Sequence, residues 1–420
     1  MSSSVPEGWG VTPLGDMCRV KGGKRLPKGS AFSETITPFP YIRVADFQSG
    51  SIETRGIKYV STNVREQIKR YTISSSDIYI SIAGSIGLVG VVPQIFNGAL
   101  LTENAAKIVL NDVYLDRTYL CLFLSSEIAQ SQFKQEIGTG GGVPKLALFR
   151  IEQTVLSVPP LSEQKKIASI LTSVDEVIEN TQKQIDKLQD LKKATMNELL
   201  TKGIGHTEFK DSEFGRIPKS WEVASFANVC SLIRDGTHLP PARVKRGVPL
   251  LSIRNMQDGR FELLADDTYV SEDFYSKMHS KWKPEEGDLL LAVVGATIGK
   301  VCQVPKGLPR FTLQRSVAVL RGTTNLLDND YLFLCSQSQD FNKRLWDRVN
   351  QTAQPGIYLA EIAKIKIPLP PVDEQLRITS AIGSVSVAID SQKHKLSQTK
   401  SLKKSLMQDL LTGKVRVTVN

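Results

Sequence analysis

Residues 1–203 of this chain come round again at 212–413, and each half closes on a long amphipathic segment. Pro159-Pro160-Leu161-Ser162-Glu163-Gln164 returns as Pro370-Pro371-Val372-Asp373-Glu374-Gln375. Leu199-Leu200-Thr201 returns, at the same spacing, as Leu410-Leu411-Thr412. A duplicated chain can fold about a pseudo-two-fold axis and behave as a symmetric dimer made from one polypeptide. Such an object suits a two-part target, and for a basic protein the commonest such target is DNA. Lys and Arg outnumber Asp and Glu by 53 to 43, a formal charge of +10 that favours a polyanionic partner.

Further anchors lie inside the repeat. Pro6-Glu7-Gly8-Trp9 answers Pro218-Lys219-Ser220-Trp221, and Asp77-Ile78-Tyr79-Ile80 answers Asp288-Leu289-Leu290-Leu291. Between anchors the copies diverge, so one scaffold carries two different surfaces. Within each copy the apolar runs are short, β-branched and punctuated by Gly or Pro: Ile78–Ile82, Leu88–Val92 and Ile108–Leu110, then Leu289–Val294 and Ser316–Leu320. They predict strands of a mixed, largely antiparallel sheet. Tyr114–Glu136 and Asp330–Val349 carry helical spacing, which makes each globular part α+β.

The spacing divides the chain into a globular part at 5–158, a helical spacer at 159–203, a linker with a second globular part at 204–369, and a second spacer at 370–413. Ser162 and Asp373 read as helix N-caps, with Glu163 and Glu374 in the first turn at the positive helix end. Leu171, Ile178 and Ile185 recur every seven residues, as do Val174, Thr181 and Leu188; Thr181 and Thr195 interrupt the apolar line. Ile382, Ile389 and Leu396 hold the same line in the second copy, joined by Val385, Leu402, Leu406 and Leu410. Gly203 and Gly413 stand where a C′ glycine belongs. Around forty helical residues make a rod of about 60 Å. So narrow a stripe asks for a partner helix, and the other copy supplies one: an antiparallel coiled-coil pair separating two globular heads. Gly203–Lys219 is a polar connector between the copies.

The motifs of catalysis are missing. Four histidines, His206, His238, His279 and His394, stand far apart, and five cysteines form no CxxC pair, so no metal constellation is expected. Cys18 and Cys230 fall at equivalent places inside apolar patterns and read as buried hydrophobes. No Asn-Pro-Pro-Tyr-like motif is present to hold a flipped adenine. Gly138–Lys145 resembles a phosphate loop but lacks its Gly-Lys-Ser/Thr ending, and Glu208-Phe209-Lys210 has no Pro-Asp partner for a nuclease site. The longest apolar run, Tyr79–Val92, is too short and Gly-rich to span a bilayer, and no basic-then-apolar leader opens the sequence; the expected location is cytoplasmic.

Basic loops are better represented. Lys21, Lys24, Arg25 and Lys28 sit on a Gly/Pro frame, and its counterpart carries Arg234, His238, Arg243 and Lys245. Arg43 and Asp46, with Arg254 and Asn255, fall at strand ends beside these loops, and Asn104, Gln314 and Arg315 lie on later ones. Lys and Arg on loops meet phosphates, while Arg, Asn and Gln read base edges in the major groove. These fifteen residues are the expected DNA-binding set.

The Pro-Pro-Leu-Ser-Glu-Gln-Lys-Lys-Ile run from Pro159, the Leu-Leu-Thr-Lys-Gly-Ile close at Leu199–Ile204, and Phe209–Trp221 together resemble the specificity subunit of type I restriction–modification enzymes. The resemblance covers nearly the whole chain. It implies two target-recognition domains, each followed by a helical spacer, and a non-catalytic role in which each domain reads one half of a split DNA sequence. It further implies that two methyltransferase subunits dock on the chain and that translocating nuclease subunits, two in number, join that core. AdoMet, ATP and magnesium belong to those partners, so the chain itself needs no cofactor.

Overall fold

The computed structural model describes residues 5–48, 50–111, 113–135, 144–257, 259–350 and 355–419. The chain is mixed α+β and forms two compact units that do not follow chain order: Met1–Lys183 with His394–Asn420, and Gln184–Lys393. Each unit therefore holds the globular part of one copy together with parts of both long helices.

In the first unit an antiparallel sheet runs in the order Cys18–Gly22, Ala105–Leu110, Ile78–Ser81, Val89–Val91. A smaller sheet runs Lys58–Tyr59, Pro40–Ile42, Ala99–Leu101, Thr72–Ile73, with Pro40–Ile42 and Ala99–Leu101 its parallel pair. Gly10–Pro13 pairs with Val155–Val158, bringing the start of the copy to the foot of its helix. The second unit repeats this order: Cys230–Asp235, Val317–Gly322, Leu289–Ala292, Val301–Gln303 in one sheet, and Thr268–Val270, Val248–Leu251, Thr312–Leu313 in the other. Ile78, Ile80, Leu289 and Leu291 lie on fully buried strands, which explains why those stretches read as continuous apolar runs.

Two expected helices are each split. Tyr114–Glu136 becomes Arg117–Ser125 and Glu127–Gln135, broken at Ser126; Asp330–Val349 becomes Asn329–Ser336 and Gln339–Trp346, restarted by the Ser338 hydroxyl, which accepts from the Phe341 amide at 3.1 Å. A serine that bonds to local backbone ends a helix without needing Gly or Pro. The connector between copies is also folded, into a hairpin of Phe209–Ser212 with Gly215–Pro218. Glu208 in it pairs with Lys219 at 3.1 Å.

The long helices span Leu161–Lys202 and Val372–Leu411. Both begin one residue before the expected caps: the carbonyls of Pro160 and Pro371 accept the amides of Gln164 and Gln375 at 3.0 Å, so the prolines stand at the cap position and Ser162 and Asp373 lie inside the first turn. Their C-terminal glycines are as expected, Gly203 at φ 65° and Gly413 at φ 73°. In the first unit the start of the first helix runs against the end of the second: Ile167, Ala168 and Leu171 share a core with Leu410 and Leu411, and Asp175 pairs with Lys403 at 2.6 Å. The second unit has the converse, with Leu200 beside Ile378 and Ile382, and Lys192 within electrostatic reach of Asp390. Numbers rising on one helix meet numbers falling on the other, so the pairing is antiparallel. Leu171, Ile185, Ile382, Ile389 and Leu396 are buried, and Val174, Ile178, Leu188 and Val385 are half-buried. Leu402 departs from the pattern and is 53% exposed. Thr181 is buried in the seam, its hydroxyl satisfied by the Val177 carbonyl at 2.7 Å.

The Glu-Gln pair that opens each helix joins it to its globular part. The fully buried Gln164 accepts the Asp116 amide at 2.7 Å and donates to the carbonyls of Tyr114 and Pro159, both at 2.8 Å. Gln375 makes the same three bonds, to the Asp328 amide at 2.8 Å and the Leu326 and Pro370 carbonyls at 3.0 and 2.8 Å. Glu163 accepts the Trp9 indole N–H at 3.3 Å and pairs with Arg416. Glu374 accepts that of Trp221 at 2.9 Å, with His206 at 2.8 Å.

Replacing Gln164 by Leu leaves the Asp116 amide and the Tyr114 and Pro159 carbonyls without their partner, which costs about 2–4 kcal/mol. The Asp116 amide is expected to exchange with deuterium faster in that variant while the Asp328 amide holds its protection. Gln375→Leu is expected to invert the pattern. Unchanged exchange at Asp116 would remove the glutamine from its role as a joint.

Candidate nucleic-acid interface

In both copies a strand ends on a glycine that passes hard against its neighbour. Gly23 follows Cys18–Gly22; its amide bonds to the Ala105 carbonyl at 2.9 Å, and a Cβ there would sit 2.0 Å from the Thr102 oxygen. Gly236 follows Cys230–Asp235, and a Cβ on it would sit 2.0 Å from the Leu313 oxygen. No other residue fits so close an approach. The next residue is held alike, the Lys24 amide to Leu101 and the Thr237 amide to Leu313, each at 2.8 Å. The basic loops start from this shared crossing.

The opposite wall is also shared. The Leu146 amide bonds to the Ile82 carbonyl at 2.9 Å, and the Ile357 amide to the Val293 carbonyl at 3.0 Å. Between crossing and wall lies a groove in each copy. The first is about 980 Å³ and carries Lys24, Arg25, Lys28 and Lys145. The second is about 440 Å³ and carries Asp235, His238, Arg315, Asn350 and Tyr358. Lys145 and Tyr358 were not among the expected residues, although Pro144-Lys145-Leu146-Ala147-Leu148 and Pro355-Gly356-Ile357-Tyr358-Leu359 keep the repeat spacing and could have shown them.

Lys24, Arg25 and Lys28 are exposed. Lys24 lies 5.6 Å over the Tyr71 ring, and Arg25 pairs with Glu103 at 3.0 Å while remaining 78% exposed. Burial pushes the Glu103 carboxyl up, but Arg25 and Thr102 outweigh it and hold it below the usual range. Lys21 is exposed on its strand opposite Lys107, and Asn104 is exposed at the start of the next. Arg234, Arg243 and Lys245 are exposed, and His238 meets Asp235 at 3.1 Å. Arg315 is exposed with its amide tied to the Thr237 carbonyl at 3.2 Å; Gln314 is half-buried beside it.

The remaining four are turn residues. Asp46 is 4% exposed and binds both the backbone amide of Arg43, at 2.7 Å, and its guanidinium, at 2.6 Å. Asn255 is fully buried, accepts the Ser252 amide at 2.9 Å and donates to Asp267 at 3.0 Å. Arg254 is spread over Asp266 and Asp267 at 2.8 and 3.0 Å. Burial pushes the Asp267 carboxyl up, but Asn255, the Leu264 amide and Arg254 bring it net below the usual range. Asp46 and Asn255 thus form the cores of two equivalent turns, which Arg43 and Arg254 brace. A short polar residue at a strand end carries no mark of this in the sequence.

Most of the glycine run Gly138–Lys145 lies outside the described residues. Among the described residues no group of three or more His, Cys, Asp or Glu side chains is placed to hold a metal ion. Cys18 is buried, whereas Cys230 is only half-buried against the second core; burial still pushes its thiol up to about 12, as suits an unreactive cysteine.

Comparison with known proteins places this arrangement. The type I restriction modification DNA specificity domain matches twice, at residues 6–190 and 218–400. The MjaVIII type I restriction enzyme specificity subunit of Methanocaldococcus jannaschii is 30% identical over 98% of this chain and 94% of its own. The EcoKI specificity subunit of Escherichia coli K12 is 21% identical over 99% and 90%. Among solved structures, the S subunit of M. genitalium aligns with a TM-score of 0.55 at 16% identity, covering 98% of this chain and 97% of that one. A chain from a study of complex assembly and conformational transition in the type I system aligns at 0.61 and 17%, covering 98% and 100%. With two matched domains and a full-length relative, the chain belongs to the type I restriction–modification DNA specificity family.

Proposed function

We propose that this chain is the non-catalytic sequence-reading subunit of a type I restriction–modification complex, in which each copy reads one half of an asymmetric bipartite duplex. The observation that carries the reading is the pair of grooves: one backbone frame, built twice, lined by different side chains. Exposed lysines and arginines on the rims suit phosphates, and the divergent lining suits unlike base sequences. The two long helices fix the gap between half-sites and offer docking surface for two methyltransferase subunits, to which two restriction–translocase subunits add. AdoMet, ATP and magnesium act in those partners. The described residues contain no helix long and apolar enough to cross a membrane, and the reading places the complex in the cytoplasm with the DNA it surveys.

Selection of the chain, co-purified with its methyltransferase, on a random duplex library is expected to enrich two short unlike half-sites at one fixed gap. Tight, salt-sensitive binding with no enrichment would reduce it to a non-specific DNA binder. Reversing Lys24 and Arg25 to Glu is expected to weaken binding to every sequence and to lower the slope of log affinity against log salt by about 2, near 0.9 per lost phosphate contact. An unaltered slope in a salt titration would take that loop off the DNA. Exchanging residues 5–158 for another such domain is expected to change one half-site and spare the other; a change in both would refute the modular assignment.

A further inference from the structure

Ala147 and Tyr358 occupy the same place in the two copies. Each precedes a short helix, Leu148–Glu152 or Leu359–Ala363, with nearly identical backbone angles: φ −72° and ψ 145°, against φ −82° and ψ 148°. The Ala147 carbonyl takes the amides of Arg150 and Ile151 at 3.1 and 3.3 Å; the Tyr358 carbonyl takes those of Glu361 and Ile362 at 2.9 and 3.0 Å. The frame is therefore fixed twice over, and only the side chain differs. Tyr358 remains 70% exposed, so packing does not account for a phenol there.

The surroundings differ in the same sense. Around Ala147 the first groove gathers Lys24, Lys28 and Lys145, with Arg25 offset by Glu103. An ammonium is a compact point charge that grips phosphate and carries no sequence information. Beside Tyr358 the smaller second groove sets Arg315 and Asn350. A guanidinium fork fits guanine, a carboxamide fits adenine, and a phenol offers a flat apolar face with a hydroxyl that both donates and accepts.

We propose that Tyr358 is a specificity-determining residue that contacts a base in the half-site of the second copy, whereas the matching groove of the first copy holds its half-site chiefly through phosphates. The proposal rests on the DNA-reading assignment above. Arg315 and Tyr358 form the reading pair, and Lys24, Lys28 and Lys145 form the grip. Ala147 leaves the first groove open enough for a backbone strand to lie among the lysines.

The test uses the whole complex with its methyltransferase, selected on the random library at two salt concentrations. Tyr358→Ala is expected to lose about tenfold or more of discrimination at one or two adjacent positions of one half-site. Its other half-site, its salt slope and its melting temperature are expected to match the parent. The triple change Lys24→Ala, Lys28→Ala, Lys145→Ala is expected to do the converse, lowering the slope by about 2–3 with both consensus half-sites intact. A Tyr358→Ala consensus identical to the parent's would overturn the proposal, as would a triple variant that alters a half-site without touching the slope. The parent complex separates the two levels of failure: if it enriches no split site, the DNA-reading assignment itself falls.

Discussion

A buried glutamine at the first turn of each long helix is the joint on which both units depend. Gln164 and Gln375 satisfy one amide and two carbonyls apiece, in backbone that would otherwise be orphaned where a loop meets a helix end. The neighbouring glutamates add a charge-assisted bond to a buried tryptophan, Trp9 or Trp221. A carboxylate and a carboxamide in adjacent positions of one helix thus reach two different partners, the start of the copy and the loop before its helical hairpin. The joint is polar, directional and short, so it fixes how each globular part leaves its helix. An apolar patch of similar area would hold the same parts together with far less say over angle.

Rigidity at the joint and freedom in the groove are separate properties of this chain. The crossing glycines, the walls at Leu146 and Ile357, and the Asp46 and Asn255 turns use backbone groups or buried side chains. None of them constrains what stands at Lys145, Ala147, Gly356 or Tyr358. A reader built this way can change its sequence preference without altering its stability, because surface substitutions on a fixed frame move stability by only about 0.5 kcal/mol. Base contacts worth 1–3 kcal/mol each then dominate what changes.

Much of this was legible in the sequence because a duplication is its own control. The fold class, the long helices, the heptad seam and the C-terminal glycines followed from patterns that occur twice. What escaped was local. Ser126 and Gln337-Ser338 split helices without Gly or Pro, and Pro160 and Pro371 took a cap position that Ser162 and Asp373 suit better by type. Glu163 and Glu374 satisfied the rule for a first helical turn, which concealed their bonds to Trp9 and Trp221. In the candidate site, charge on Gly/Pro loops marked Lys24, Arg25 and Lys28, but the sequence held no sign that Asp46 and Asn255 point inward. Lys145 and Tyr358 carry no such mark because their counterparts in the other copy are Gly356 and Ala147, so the chemistry at each place occurs only once.

That difference has a thermodynamic consequence for orientation. A duplicated frame with identical linings would bind a split site equally well in either direction, and a complex that modifies particular bases would then face two poses of equal energy. Each mismatched base pair costs about 1–3 kcal/mol, roughly additively. Two or three positions read differently by the two grooves therefore separate the poses by about 4 kcal/mol, on the order of a thousandfold in population. On the proposal above, Tyr358 adds to that gap from the second copy alone, since the phosphate grip around Ala147 is indifferent to sequence. The repeat supplies two grooves of like frame, and on the reading proposed above the asymmetry of their linings sets which half-site each one takes.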